Sequence, residues 1–148
     1  MTELRAAAGD GDRPDPYATG PATLPAELVP MPVEGWRVLG FGAHEHVARA
    51  VQDRLRQAGL RATALAVADD PASDARLVEA LAADSYDAVA IGGYLSGQDP
   101  ASPATAESAV WFNRVLNLVH AGAPQARIVL VRGPQNAVTD IERVLAAT

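Results

Sequence analysis

Cysteine is absent from the 148 residues. That excludes disulfide frameworks, thiolate nucleophiles and Cys-based zinc or iron–sulfur sites. Lysine is absent as well: all twelve basic residues are arginine. Schiff-base and P-loop lysine chemistry are excluded with it. No stretch approaches the roughly 18 apolar residues that a membrane span needs. The N-terminus reads Met-Thr-Glu-Leu-Arg with no apolar run behind it, so neither a signal peptide nor a membrane segment is expected. A cytoplasmic protein is the expectation, consistent with zero Cys. Positive charge is also short: twelve bases face eighteen acids, a net charge of −6. That balance argues against nucleic-acid binding by phosphate neutralisation.

What is present suits one domain. Hydrophobic residues make up 49% and charged residues 20%, enough for a globular core. Residues 1–34 differ from the rest. They hold six of the eleven prolines, and six acids against two arginines. Low hydrophobicity with Pro, Gly and Asp predicts a disordered or loosely packed tail, with Leu24–Val33 apolar enough to lie along a domain. Residues 35–148 form the expected domain.

There the pattern becomes regular. Trp36–Gly40 reads as a short strand. Val47, Ala48, Val51 and Leu55 recur at helical spacing, and Gly59 closes that helix. Arg61–Val67 is a second strand. Asp70-Pro71 opens a helix with Asp as cap and Pro at its first position. Asp87–Ile91 is a third strand, stopped by Gly92-Gly93. Phe112, Val115, Leu116 and Val119 mark a third helix, ended by Gly122 and Pro124. Arg127–Val131 is a continuous apolar run, as for a strand covered on both faces. Ile141, Val144 and Leu145 mark a fourth helix, started by a Thr139–Glu142 capping box or by Asn136 one turn earlier. Strict βα alternation implies a parallel sheet between two helical layers. The predicted fold is a flavodoxin-like three-layer α/β sandwich with strand order 2-1-3-4. Helices 1 and 4 lie on one face, and helices 2 and 3 on the other.

In such sheets the ligand crevice lies beyond the carboxyl ends of the strands, where the order reverses. The reversal falls between strands 1 and 3. Loops after these strands therefore matter most, and the long segment from Gly92 to Thr105 suits a lid. Candidate ligand-binding residues at this edge are Gly42, His44, His46, Asp70, Gly93, Tyr94, Ser96, Arg132 and Asn136.

Each motif has two readings. Gly40-x-Gly42-x-x-Glu45 follows a strand and opens a helix, with Asp69 and Asp70 under 30 residues later. This is the outline of a dinucleotide fingerprint. Glu45 stands where Gly or Ala belongs, and its charge repels phosphate, so a plain βα turn is the competing reading. His44-x-His46 offers acid–base groups; alternatively, both imidazoles are simply solvated. His120 ends helix 3 and belongs to the opposite edge, near a helix C-terminus, so no third metal ligand is at hand and no metal site is expected. Ser96 has no base placed near it by a motif. Asn113 and Asn117 are read as bonding backbone near the sheet. A phosphate-accepting receiver needs an Asp after strand 3, an acidic pair after strand 1 and a Lys; Ile91-Gly92-Gly93, His44-Glu45-His46 and the missing Lys exclude it.

Tyr86-Asp87-Ala88-Val89-Ala90-Ile91-Gly92-Gly93, with Asn117-Leu118-Val119-His120-x-x-Ala123-Pro124-x-Ala126-x-Ile128, resembles an uncharacterised family of small bacterial flavodoxin- or receiver-like α/β proteins. The similarity spans the second half of the chain. It departs at Leu95-Ser96, where the family pattern has an Arg, and at Val131-Arg132-Gly133. What the resemblance implies is the fold, with no activity or cofactor attached.

Three functional expectations follow. The first is a non-catalytic module, of receiver-like fold without phosphorylation chemistry, that binds a small molecule at the C-terminal edge or a protein partner. The second is a small enzyme or nucleotide-cofactor binder, with His44 or His46 as acid–base. A structural partner anchored by the acidic tail is a third. The apolar run Ile128–Val131 on an edge strand calls for a cover, either Leu24–Val33 or a second copy. A homodimer through strand 4 and helix 4 is expected.

Overall fold

The computed structural model describes residues 35–147; the tail assigned to residues 1–34, with its Leu24–Val33 segment, lies outside them. Four parallel strands are joined by helices in βα order. The elements are β1 (Arg37–Gly42), α1 (Glu45–Gln57), β2 (Arg61–Ala66), α2 (Pro71–Ala83), β3 (Ala88–Ile91), α3 (Gly93–Ser96), α4 (Ala106–Gly122), β4 (Arg127–Leu130) and α5 (Ala137–Ala146). The strand order is β2-β1-β3-β4, all pairs parallel. This is the α/β sandwich that the alternating pattern implies.

Strand alternation sorts the core into two layers. Val38, Ala88, Ala90 and Val129 meet Val51 and Leu55 of α1 and Ile141 and Leu145 of α5. Leu39, Phe41, Val89 and Ile91 meet Leu77 and Leu81 of α2 and Val115 and Val119 of α4. The helices expected as third and fourth are therefore α4 and α5, each on its expected face. No helix among the described residues is long and apolar enough to cross a membrane.

Several boundaries differ from the sequence reading, for local reasons. β1 does not stop at Gly40. Phe41 and Gly42 continue it, paired with Leu65 and Ala66, because Phe41 is buried in the α2–α4 layer. The segment after β3 is not an open loop throughout. Gly93–Ser96 fold into α3 directly after Gly92, and burial of Leu95 holds that turn down. α4 begins at Ala106, well before its apolar stripe. Thr105 and Ser108 form a reciprocal capping box there. The proposed Thr139–Glu142 box does not form, since Thr139 lies inside α5. A 3-10 turn, Pro134–Asn136, leads into that helix, and Asn136 makes no side-chain cap.

Three other expectations meet the same scrutiny. Asp70 caps α2 through Oδ1, which accepts from the Ser73 backbone N–H at 2.7 Å. Asn117 does not bond near the sheet; its Nδ2 donates to the Asn113 carbonyl at 2.8 Å on the exposed side of α4. β4 is not covered on both faces: Val129 is buried, whereas Ile128 is 37% exposed.

Candidate functional site

A cleft of about 190 Å³ opens at the carboxyl ends of the strands. It lies where β1 and β3 diverge, under α1 and α5. Gly40, Gly42, Gly92, Gly93 and Gly133 line it together with apolar side chains such as Val47, Val51 and Val131. The polar side chains on its wall are Tyr94, Asp99 and Ser102. This is the crevice position that strand-order reversal produces in open α/β sheets.

Close packing shapes its glycine rim. A Cβ on Gly42 would lie 2.6 Å from the Ala48 nitrogen, so the first turn of α1 occupies the space that a side chain would need. A Cβ on Gly93 would run into the Arg132 carbonyl. α3 can therefore sit directly on the end of β4. Gly40 differs: its Cβ would meet only Ala64 and Val51, at 3.8 and 3.9 Å. Both glycines lie in the last three residues of β1, and Gly42 is where the close approach of α1 requires one.

Tyr94 forms one wall. Its hydroxyl is 2.8 Å from the Val67 carbonyl oxygen and 3.1 Å from that of Gly42. Trp111 meets its ring edge-on, centroids 5.8 Å apart. Burial pushes the phenol upward from its ordinary value of 10.0. Tyr94 is thus a neutral, fixed wall and not a proton donor at physiological pH.

No family model, curated protein or solved structure matches the chain.

The nine candidate residues separate cleanly. Gly42, Gly93 and Tyr94 line the cleft. His44 and His46 stand outside its wall. Both are exposed at the start of α1, rings parallel within 3° and 5.7 Å apart. Asp70 is committed to capping α2, and the Ser73 N–H holds its carboxyl below the usual range. Its neighbour Asp69 pairs with Arg114, which also binds Asp74. The Asp70 and Asp69 bonds each use Oδ1 of the acid. Ser96 closes α3, and Asn136 belongs to the turn before α5.

Arg132 is held elsewhere. Its guanidinium grips Asp140 with two bonds, Nη2 to Oδ1 at 2.7 Å and Nε to Oδ2 at 3.2 Å, while its backbone N–H donates to the same Oδ2 at 3.1 Å. Those bonds raise the Arg132 pKa further. The pair pins the end of β4 to α5 and positions the cleft without lining it. Sequence reasoning missed Asp140, a carboxylate in the first turn of a helix, eight residues after an arginine. Asp99, a polar group of the segment after strand 3, was not among the candidate ligand-binding residues, and Ser102 and the apolar lining were missed. Among the described residues, no group of three or more His, Asp or Glu side chains is arranged to hold a metal.

Proposed function

We propose that this chain is a non-catalytic binding module that takes a small, largely apolar molecule at the carboxyl edge of its sheet. The observation that carries this reading is the apolar, glycine-rimmed cleft at the β1–β3 divergence. Ligand pockets are concave and mostly apolar, with few polar groups placed to orient the occupant. The volume suits a ligand of about one ring, since an apolar cavity of roughly 150 Å³ already takes up benzene.

The acid–base alternative draws on His44 and His46. Their rings face each other outside the cleft, so a substrate there would meet neither imidazole. The binding module is the reading that the geometry favours. In this proposal the protein works in the cytoplasm, which its lack of cysteine suits. It pairs with a second copy through β4 and α5, supported by the exposed Ile128 on an edge that no strand among the described residues covers.

Ligand-observed NMR with single-ring probes (benzylamine, benzyl alcohol and phenylacetate) tests the cleft. Saturation transfer to at least one probe is expected, with its loss in Gly40→Val, a variant whose added bulk grows from a position with room for a Cβ. Thermal unfolding confirms that the variant folds. Absence of transfer to every probe, or equal transfer in folded Gly40→Val, overturns the reading.

A further inference from the structure

The cleft wall carries a single formal charge. Among the described residues that line it, Asp99 alone has a formally charged side chain. One Asp99 oxygen, Oδ1, accepts from the Ala101 backbone N–H at 2.9 Å. That bond fixes the carboxylate in an Asx turn after α3 and leaves Oδ2 available. Asp99 is half-buried, whereas the glycine floor beneath it is largely buried. Ser102, whose N–H donates to the Asp99 carbonyl at 2.9 Å, adds a hydroxyl on the same segment.

Among the described residues no arginine lines the cleft beside this carboxylate. Arg132 is spent on Asp140. Arg54 reaches the outer side of the wall, where its Nη1 donates to the Pro134 carbonyl at 3.2 Å. Glu45, exposed in the first turn of α1, adds a second negative group beside Ala43 and Val47. The start of α1 contributes a partial positive pole, about half a charge and already faced by Glu45. One fixed carboxylate against an apolar wall therefore decides the sign of the site.

From this we infer that the cleft selects a compact apolar cation: a primary or secondary ammonium on a ring or short branched chain, its body against Val47, Val51 and Val131 and its N–H groups on Asp99 and Ser102. The inference rests on the reading of the cleft as a ligand site. An anion of the same size would place its charge against Asp99, and a neutral isostere would leave the carboxylate without a partner. Charge-assisted hydrogen bonds are about twice as strong as neutral ones, so the ordering is amine, then alcohol, then carboxylate.

Dissociation constants for benzylamine, benzyl alcohol and phenylacetate, measured by NMR titration on the whole chain, test this. Benzylamine is expected to bind at least about tenfold tighter than phenylacetate, and Asp99→Asn to erase that preference while leaving benzyl alcohol unchanged. Asp99→Asn keeps an oxygen for the Ala101 bond, so folding is preserved; Ser102→Ala is a second, milder variant that weakens the amine alone. Equal affinities for the three probes, a tighter carboxylate, or a preference that survives Asp99→Asn overturns the charge selection while Gly40→Val still reports the cleft. Binding of none of the three overturns the site itself.

Discussion

The Tyr94 hydroxyl donates to the Val67 carbonyl across 2.8 Å and so ties the short helix after β3 to the end of β2. The two residues lie 27 apart in sequence and on opposite sides of β1. The same hydroxyl lies near the Gly42 carbonyl, which already accepts from the Val67 N–H at 3.1 Å. One side chain therefore closes the top of the sheet and forms a wall of the cleft.

Removing that hydroxyl leaves a carbonyl without its donor. Tyr94→Phe is expected to cost about 1–2 kcal/mol, the range for a half-satisfied buried hydrogen bond. Urea unfolding measures it. The ring itself remains, so the edge-on contact with Trp111 and the cleft volume should persist. A loss above about 4 kcal/mol would mean that the ring had moved.

The phenol also gives an alkaline signature. Its folded pKa is raised by burial above the ordinary value of 10.0. Below pH of about 9 both folded and unfolded chains hold the proton, and the stability is fully present. Above pH of about 10 the unfolded chain releases it while the folded chain retains it, so stability falls as pH rises. Tyr86, likewise raised by desolvation, acts with the same sign. The unfolding midpoint should therefore drop between pH of about 9 and 11, and less steeply in Tyr94→Phe.

The glycines around the cleft should respond unequally. Gly42→Ala and Gly93→Ala drive a methyl into backbone of Ala48 and Arg132, and backbone cannot step aside as a flexible side chain does. Each is expected to lose about 2–4 kcal/mol, at the upper end for overpacking. Gly40→Ala meets only van der Waals neighbours and should stay within about 1 kcal/mol of the parent, helped by a stiffer unfolded chain. Parallel denaturation curves compare the three. Equal losses would refute the distinction.

The frame of this site was legible in the sequence; its chemistry was not. The strict βα alternation, the Asp70-Pro71 helix start and the Gly92-Gly93 stop made the strands, their order and the position of the crevice legible. Those signals act over a few residues, and so survive in a linear reading. The side chains at the crevice were harder. His44 and His46 look chemical by type, yet one-residue spacing at a helix start leaves both on the solvent side. Arg132 looks free until Asp140, brought round by α5, takes both ends of its guanidinium. Asp99 carries no local signal, and only the turn after α3 brings it to the rim. Pairings made by packing across elements are the part that composition and spacing do not encode.

The Arg132–Asp140 pair has its own test. Asp140 is 7% exposed, and its two oxygens take three bonds from Arg132. Asp140→Ala leaves a guanidinium and a backbone N–H unpartnered at the end of β4. Breaking one side of such a pair is strongly destabilising, and a drop in Tm on the order of 5–10 °C is expected. Arg132→Lys should recover only part of the parent stability, because an ammonium lacks the planar fork that meets both oxygens. A Tm for Arg132→Lys equal to that of the parent would show that charge alone holds this corner.

The edge of the sheet supplies the last prediction. Among the described residues β4 pairs with β3 on one side only, and its Ile128 side chain is 37% exposed. An apolar edge with free N–H and C=O groups is a template for another strand. Two copies meeting across β4, with α5 alongside, would pair those groups and cover Ile128. Light scattering after gel filtration at micromolar concentration should therefore return twice the 15.4 kDa chain mass. Ile128→Lys puts a charge at the seam, the device that natural edge strands use against association, and should return the single-chain mass with an unchanged circular dichroism spectrum. A parent chain that is monomeric at that concentration removes the dimer from the proposal. It leaves the cleft intact, because the residues lining the cleft lie at the carboxyl ends of the strands, on the helices above them or in the loops between, and none is Ile128.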